Sequence, residues 1–85
     1  MTAINQRMNR GFLSAGAIRA GARDQWALLL GRGKVIVELY YDQDLGTYIV
    51  DERVHTGDDA WSNSYSHHIA DDARAQFQRL IKKHS

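Results

Sequence analysis

Four histidines are the residues of this chain best suited to metal binding: His55, His67, His68 and His84. A zinc site needs several imidazole or thiolate ligands that converge on one ion. Two of the histidines are adjacent in sequence, no two are four residues apart, and the chain has no cysteine. We therefore predict no metal site and no cofactor.

Serine, histidine and aspartate all occur, but nucleophilic catalysis also requires a local motif that places the nucleophile. The chain has no Gly-x-Ser-x-Gly elbow, and no pair of carboxylates can be assigned to acid and base roles. We therefore predict a protein that is not an enzyme and has no catalytic residues.

Two short segments match known ligand-binding loops only in part. Gly31-Arg32-Gly33-Lys34 ends like a phosphate-binding loop, but Leu28 replaces the first glycine and Val35 replaces the serine or threonine. Asp42-Gln43-Asp44 begins like a calcium loop, but Arg53 stands where the bidentate glutamate belongs. We predict that both segments are hairpin turns.

Charge is unevenly distributed along the 85 residues, although the formal net charge is only +1. Residues 1–34 carry six bases and one acid, residues 35–72 carry nine acids and one base, and residues 73–85 carry four bases and no acid. A surface that collects one sign of charge steers association with an oppositely charged partner. This pattern favours a protein that binds another macromolecule.

The hydrophobic pattern predicts an α+β fold, in which a small antiparallel sheet of three to four strands packs against a C-terminal amphipathic helix. Apolar runs flank the Gly-Arg-Gly turn, whose glycines would supply the positive φ values that hairpin turns need. A third strand follows over residues 47–55, and residues 61–66 form a short fourth strand or an extended loop. In the last segment, acids in the first turn and bases in the last turn flank one apolar stripe, made of Ala73, Phe77, Leu80 and Ile81.

Residues 1–22 form a helical or partly ordered segment in this prediction, and residues 23–85 form the α+β domain, within a single domain overall. Ile4, Met8 and Phe12 recur every four residues, which indicates a short amphipathic helix. Residues 11–22 are rich in alanine but interrupted by glycines. They form either a second helix capped near Ser14 or a loose arm.

The favoured function is a non-enzymatic protein-binding module that presents an acidic sheet and loop surface to a basic partner. Two aromatic residues separated by serine and asparagine are typical of recognition surfaces. The alternative for Trp61 is a place in the core of this small domain. The predicted partner-binding residues are Glu38, Asp42, Asp44, Asp51, Glu52, Asp58, Asp59, Trp61 and Tyr65.

Small size and an acidic surface that could mimic phosphates are also features of the proteins that phages use against bacterial defence, including anti-CRISPR proteins. This analogy of size and charge leads us to expect an inhibitor of a bacterial defence or nucleic-acid-handling complex.

A nucleic-acid-binding protein is the first alternative, using bases of the N-terminal part. The predicted order of helix, three strands and helix resembles a double-stranded-RNA-binding domain, but Asp71 and Asp72 stand where that family carries lysines at the start of its last helix. A basic N-terminal segment that contacts phosphates is the version that remains. Its residues would be Arg7, Arg10, Arg19, Arg23, Arg32 and Lys34.

A homodimeric structural subunit is the second alternative, because small domains often gain stability by pairing an exposed strand edge or helix. We expect a cytoplasmic protein without a membrane anchor. The longest apolar run, Trp26 to Leu30, is far shorter than the roughly 20 residues that cross a bilayer.

Overall fold

The computed structural model describes residues 13–85 in full and residues 4–9 as backbone. Five strands form one antiparallel sheet in the order β1-β2-β3-β4-β5, so each strand pairs with its neighbour in sequence. The α+β class, a four-stranded antiparallel sheet formed by β2 to β5 and the C-terminal helix are confirmed, and β1 adds a further strand at one edge. The elements are β1 (Ile4–Asn9), α1 (Ala15–Arg19), β2 (Asp24–Leu30), β3 (Gly33–Asp42), β4 (Thr47–Thr56), β5 (Asp59–His67) and α2 (Ala70–His84).

The predicted helix that begins the chain is wrong over residues 4–9, which form β1. This strand pairs with β2 from Ile4 opposite Leu29 to Asn9 opposite Gln25, with an irregularity between Arg7 and Asn9. Pairing with β2 satisfies backbone hydrogen-bonding groups along the segment, and this tertiary gain overrides a weak helical pattern. Phe12, the third residue of the predicted stripe, lies outside the described residues.

The second predicted helix is confirmed as the short helix α1. The Ser14 hydroxyl oxygen accepts a hydrogen bond from the Ala17 amide at 3.1 Å, which caps its first turn. Gly21 ends the helix with a φ of 112°, and the Ala22 amide donates to the Ala17 carbonyl at 3.0 Å. Ile18 is the buried residue that attaches α1 to the core.

One face of the sheet carries the core, because both helices pack against it. The apolar stripe of α2 is confirmed, with Ala73 and Phe77 fully buried. They meet Trp26, Val37 and Val50, which have no exposed surface. Burying each large apolar side chain stabilises the fold by about 1.5–3 kcal/mol, so this face holds the helices in place. Within the described part of the chain, no helix is both long enough and apolar enough to cross a membrane.

The opposite face of the sheet, here named the open face, has no described helix against it. On β3, β4 and β5 it includes the even-numbered residues of 34–40, the odd-numbered residues of 49–55 and the even-numbered residues of 60–66, which lie opposite one another in the strand register. Ile49 is nevertheless buried on this face. It lies directly opposite Tyr40, whose ring is covered by the Arg23 guanidinium at 4.2 Å.

The turn between β2 and β3 is correctly placed, but the predicted role of its glycines is wrong. Among the described residues, positive φ values occur at Gly21, Gly46 and Gly57, and not at Gly31 or Gly33. Gly33 is required for another reason. A Cβ atom built there would lie 2.1 Å from the backbone oxygen of His55 on β4. The glycine therefore permits the close approach of two strands.

We predict that Gly33→Ala lowers the free energy of unfolding by about 2 kcal/mol or more, because backbone must move to admit the methyl group. Gly31→Ala is the matched control, since a Cβ atom there meets nothing within 4 Å. The control should leave stability unchanged or raise it by up to about 1 kcal/mol. Urea denaturation of both variants measures the difference. Equal stabilities would contradict the proposed close approach.

Candidate functional site

A groove of about 620 Å³ lies on the open face, where β3, β4 and β5 run side by side. Six of its residues belong to the open face. The other two, Val54 and Trp61, each lie between two of these six in sequence. The lining residues are Lys34, Ile36, Arg53, Val54, His55, Ala60, Trp61 and Ser62.

The strand register explains why these residues meet. Lys34 lies opposite His55, which lies opposite Ala60, and these three form one row across the sheet. Ile36 lies opposite Arg53 in the next row of the same face. Residues directly opposite in an antiparallel pair are about 4.5–5.5 Å apart. The groove therefore combines two bases and an imidazole with an aliphatic floor.

The positive groups of the groove are only partly neutralised by the protein itself. Arg53 donates to Glu38 at 3.0 Å, while about half of its side chain stays exposed. Lys34 and His55 are exposed and have no ion-pair partner among residues 13–85. Charge-assisted hydrogen bonds to carboxylate or phosphate oxygens are the interactions that such groups make best. The groove thus suits an anionic group with an apolar neighbour.

Glu38, one of the predicted acidic binding residues, is buried and is paired with other side chains of the protein. Its carboxylate accepts from Arg53 at 3.0 Å and from Gln25 at 2.9 Å, and Arg23 lies 3.5 Å away. Only 6% of the residue is exposed. Its charge is therefore largely balanced within the protein.

Glu52 is fully buried on the helix-covered face, away from the other predicted acids. Its carboxylate accepts from Lys83 Nζ at 3.0 Å, from His84 Nε2 at 2.5 Å and from Asn63 Nδ2 at 3.4 Å. Burial raises the pKa of Glu52, but the hydrogen bonds from His84, Lys83 and Asn63 and the charge of Lys83 outweigh it, so the pKa lies below its ordinary value. Glu52 ties the end of α2 to the centre of the sheet.

The remaining predicted acids lie in different places. Asp42 holds the turn before β4, since its carboxylate accepts from the Asp44 and Leu45 amides. Asp51 accepts from the Ser64 hydroxyl at 2.6 Å on the open face. Asp58 and Asp59 are exposed at the other end of β4, about 30 Å from Asp44 for a strand of this length. The structure does not bring the seven acids onto one surface.

Trp61 and Tyr65, the predicted aromatic anchors, lie on β5 at the edge of the sheet. Trp61 is 43% exposed, so the alternative that places it in the core is wrong, and Trp26 takes that role. Lys83 Nζ lies 5.5 Å from the centre of the Trp61 ring. Tyr65 is half-buried against the core. Their part in binding stays a prediction.

The bases of the predicted nucleic-acid site are also separated by the fold. Arg19 lies over the Tyr41 ring at 5.3 Å, and Arg23 lies over Tyr40. Arg32 is exposed in the turn before β3, close in sequence to the groove residue Lys34. Only the backbone of Arg7 is described, and Arg10 lies outside the described residues.

Sequence reasoning missed Arg53, His55 and Ser62 as parts of one site. The available signal was strand alternation, which places Arg53 and His55 on one face of β4. Their assembly with Lys34 depends on the pairing register of three strands, which no local pattern gives. Among residues 13–85, no group of three or more histidines, aspartates or glutamates is placed to hold a metal ion.

Comparison of the chain with models of known protein families, with curated proteins and with solved structures finds no match.

We predict that Glu52→Gln lowers the free energy of unfolding at pH 7 by about 2 kcal/mol, because hydrogen bonds to the buried charge are weakened. Since the pKa of Glu52 is lowered by folding, its contribution is present above the unfolded-state pKa and is lost as pH falls through the folded-state pKa. The difference between wild type and variant should therefore shrink below about pH 4.

Urea denaturation at several pH values from about 3 to about 7 measures this dependence, because the ordinary pKa of glutamate lies within that interval. Asp44→Asn is the matched control, because Asp44 is exposed and forms no ion pair among residues 13–85. The control should change stability by less than about 0.5 kcal/mol. A constant wild-type advantage over Glu52→Gln at all pH values would show that the charge is not the cause.

Proposed function

We propose that this protein is a non-enzymatic protein-binding module whose partner docks on the open face, with the groove as its anchor. The observation that carries the proposal is the exposed pair of Lys34 and His55, which lie beside Ile36 and Arg53 in a concave region that no described helix covers. A carboxylate side chain of the partner enters the groove, and its apolar neighbours contact Ile36.

Composition and shape support a protein partner. Protein interfaces combine an apolar centre with a few charged or polar groups and a wet rim. The groove has an aliphatic floor at Ile36, cationic groups beside it, and the hydroxyl of Ser62 at its β5 wall. An acidic residue seated there replaces water around Lys34 and forms charge-assisted hydrogen bonds.

The polarity of this surface differs from the acidic surface suggested by the sequence. Two of the seven acids form internal ion pairs, whereas the groove presents positive groups. Asp58 lies in the turn before β5 and Asp59 begins that strand, so both lie near the groove, where they can orient a partner of mixed charge. In this proposal the protein acts in the cytoplasm, and an inhibitor of a bacterial defence complex is the specific case suggested by the analogy of size.

We predict that Lys34→Glu weakens partner binding about tenfold, because it places a negative charge against the carboxylate of the partner. Arg79→Glu is the matched control, since it reverses one exposed positive charge on α2, away from the groove. Affinity capture from lysate of the source cells, followed by quantitative mass spectrometry, compares wild type and both variants. Circular dichroism confirms that each variant is folded.

The expected result is a set of proteins retained equally by wild type and Arg79→Glu and lost with Lys34→Glu. Equal retention by all three proteins would exclude the groove as the anchor. Equal loss with both variants would indicate attraction by net charge alone, which also contradicts the proposal.

Nucleic-acid binding is the second candidate, because Arg32, Lys34, Arg53 and His55 lie toward one end of the open face. Phosphates would then occupy the groove. Under this function, duplex DNA and single-stranded RNA probes bind with an affinity that falls steeply with salt, and Lys34→Glu reduces the salt slope by about one. Fluorescence anisotropy at two salt concentrations measures this slope. A protein that binds neither probe at low salt would exclude this candidate.

A further inference from the structure

The strand β5 forms an edge of the sheet and lacks the features that protect edge strands. Such strands are usually short, or carry lysine, proline or a bulge that blocks pairing with another chain. β5 has nine residues and keeps a regular register with β4 along its whole length. Its only carboxylate and imidazole side chains are Asp59 at its start and His67 at its end, and it carries no lysine or arginine. The edge is therefore open to pairing with a further strand.

The other edge strand differs in these respects. β1 has six residues, and its register with β2 shifts between Arg7 and Asn9. The positions of the large exposed apolar residues also favour association at the β5 edge. Four such residues occur in the described part of the chain, and two of them, Trp61 and Ile69, lie on β5 or two residues after it. Burial of the Trp61 ring favours association at this edge.

We propose that β5 pairs antiparallel with β5 of a second copy of this chain, around a twofold axis at Asn63. Such an interface uses the same patch on both copies, so each contact occurs twice. The pairs across it would be Asp59 with His67, Ala60 with Ser66, Trp61 with Tyr65, Ser62 with Ser64, and Asn63 with itself.

The strand is self-complementary in this register. On the helix-covered side, Trp61 meets the Tyr65 ring of the second copy. The Asp59 carboxylate meets the His67 imidazole, whose Nε2 atom is hydrogen-bonded to Gln76 Oε1 on α2. Aromatic pairs and pairs of opposite polarity are the cross-strand contacts that stabilise antiparallel strands. On the open face only small side chains meet, so the strands can approach without a clash. An axis at Ser62 or Ser64 loses both favourable pairs.

The dimer joins two five-stranded sheets into one continuous sheet and leaves both grooves accessible. It rests on the edge strand alone and does not depend on the function proposed for the open face. A monomer could still bind a partner at the groove, and a dimer could form without one.

Cysteine trapping tests the axis directly, because the chain has no cysteine of its own. In Asn63→Cys, the two Cα atoms across the axis would be about 4.5–5.5 Å apart, which permits a disulfide. In Ser62→Cys, the two cysteines are displaced by two residues along the strand and lie more than about 7 Å apart, which does not. Mild oxidation followed by non-reducing electrophoresis should yield a covalent dimer with Asn63→Cys at least tenfold faster, as an order-of-magnitude estimate, than with Ser62→Cys.

Wild-type protein provides a second measurement that does not depend on the folding of a variant. Light scattering over increasing protein concentration should show the mass rise from one chain to two, and Trp61→Ser should weaken the association about fivefold. Equal rates of cross-linking for the two cysteine variants would overturn the proposed axis. A wild-type mass that stays at one chain up to millimolar concentration would overturn the proposed dimer.

Discussion

Coverage of the sheet by helices on one side only is the constraint on which the rest of the described structure depends. Phe77 and Ala73 of α2 have no exposed surface, and they pack against the face that carries Trp26, Val37 and Val50. The two described helices, α1 and the fifteen-residue α2, both pack on this face, so no described helix covers the other face of the sheet. The open face and the β5 edge are left accessible as a consequence, and both proposals use this accessible surface.

The acids divide between residues that are buried and paired within the protein and residues that stay at its surface. Glu52 lies on the helix-covered face, where burial requires that its charge be paired, and the last turn of α2 supplies Lys83 and His84. Glu38 is balanced by Arg53 and Arg23. Charge segregation along the chain therefore reflects internal pairing in part. Since the acids are paired across long sequence separations, counting charges along the sequence overstates the negative surface.

Local patterns predicted those elements whose sequence and tertiary environment agree. The apolar stripe and terminal charges of α2, the Ser14 cap and the hairpins all follow from neighbouring residues. The strand β1 was not predicted, because its conformation depends on pairing with the edge of β2 rather than on its own periodicity. The groove and the contact of Gly33 with β4 also escaped prediction. Each depends on the register between strands, which adjacent residues in sequence do not encode.

Site-specific photo-crosslinking tests whether a protein partner docks on the open face. A photoreactive phenylalanine analogue is placed at Ser62, within the groove, and at Arg79, on the exposed side of α2. Both proteins are irradiated in lysate of the source cells. If a partner docks there, a discrete covalent adduct with a protein forms from the Ser62 position and none forms from the Arg79 position. The same adduct from Arg79 alone, or from both positions equally, would contradict this docking.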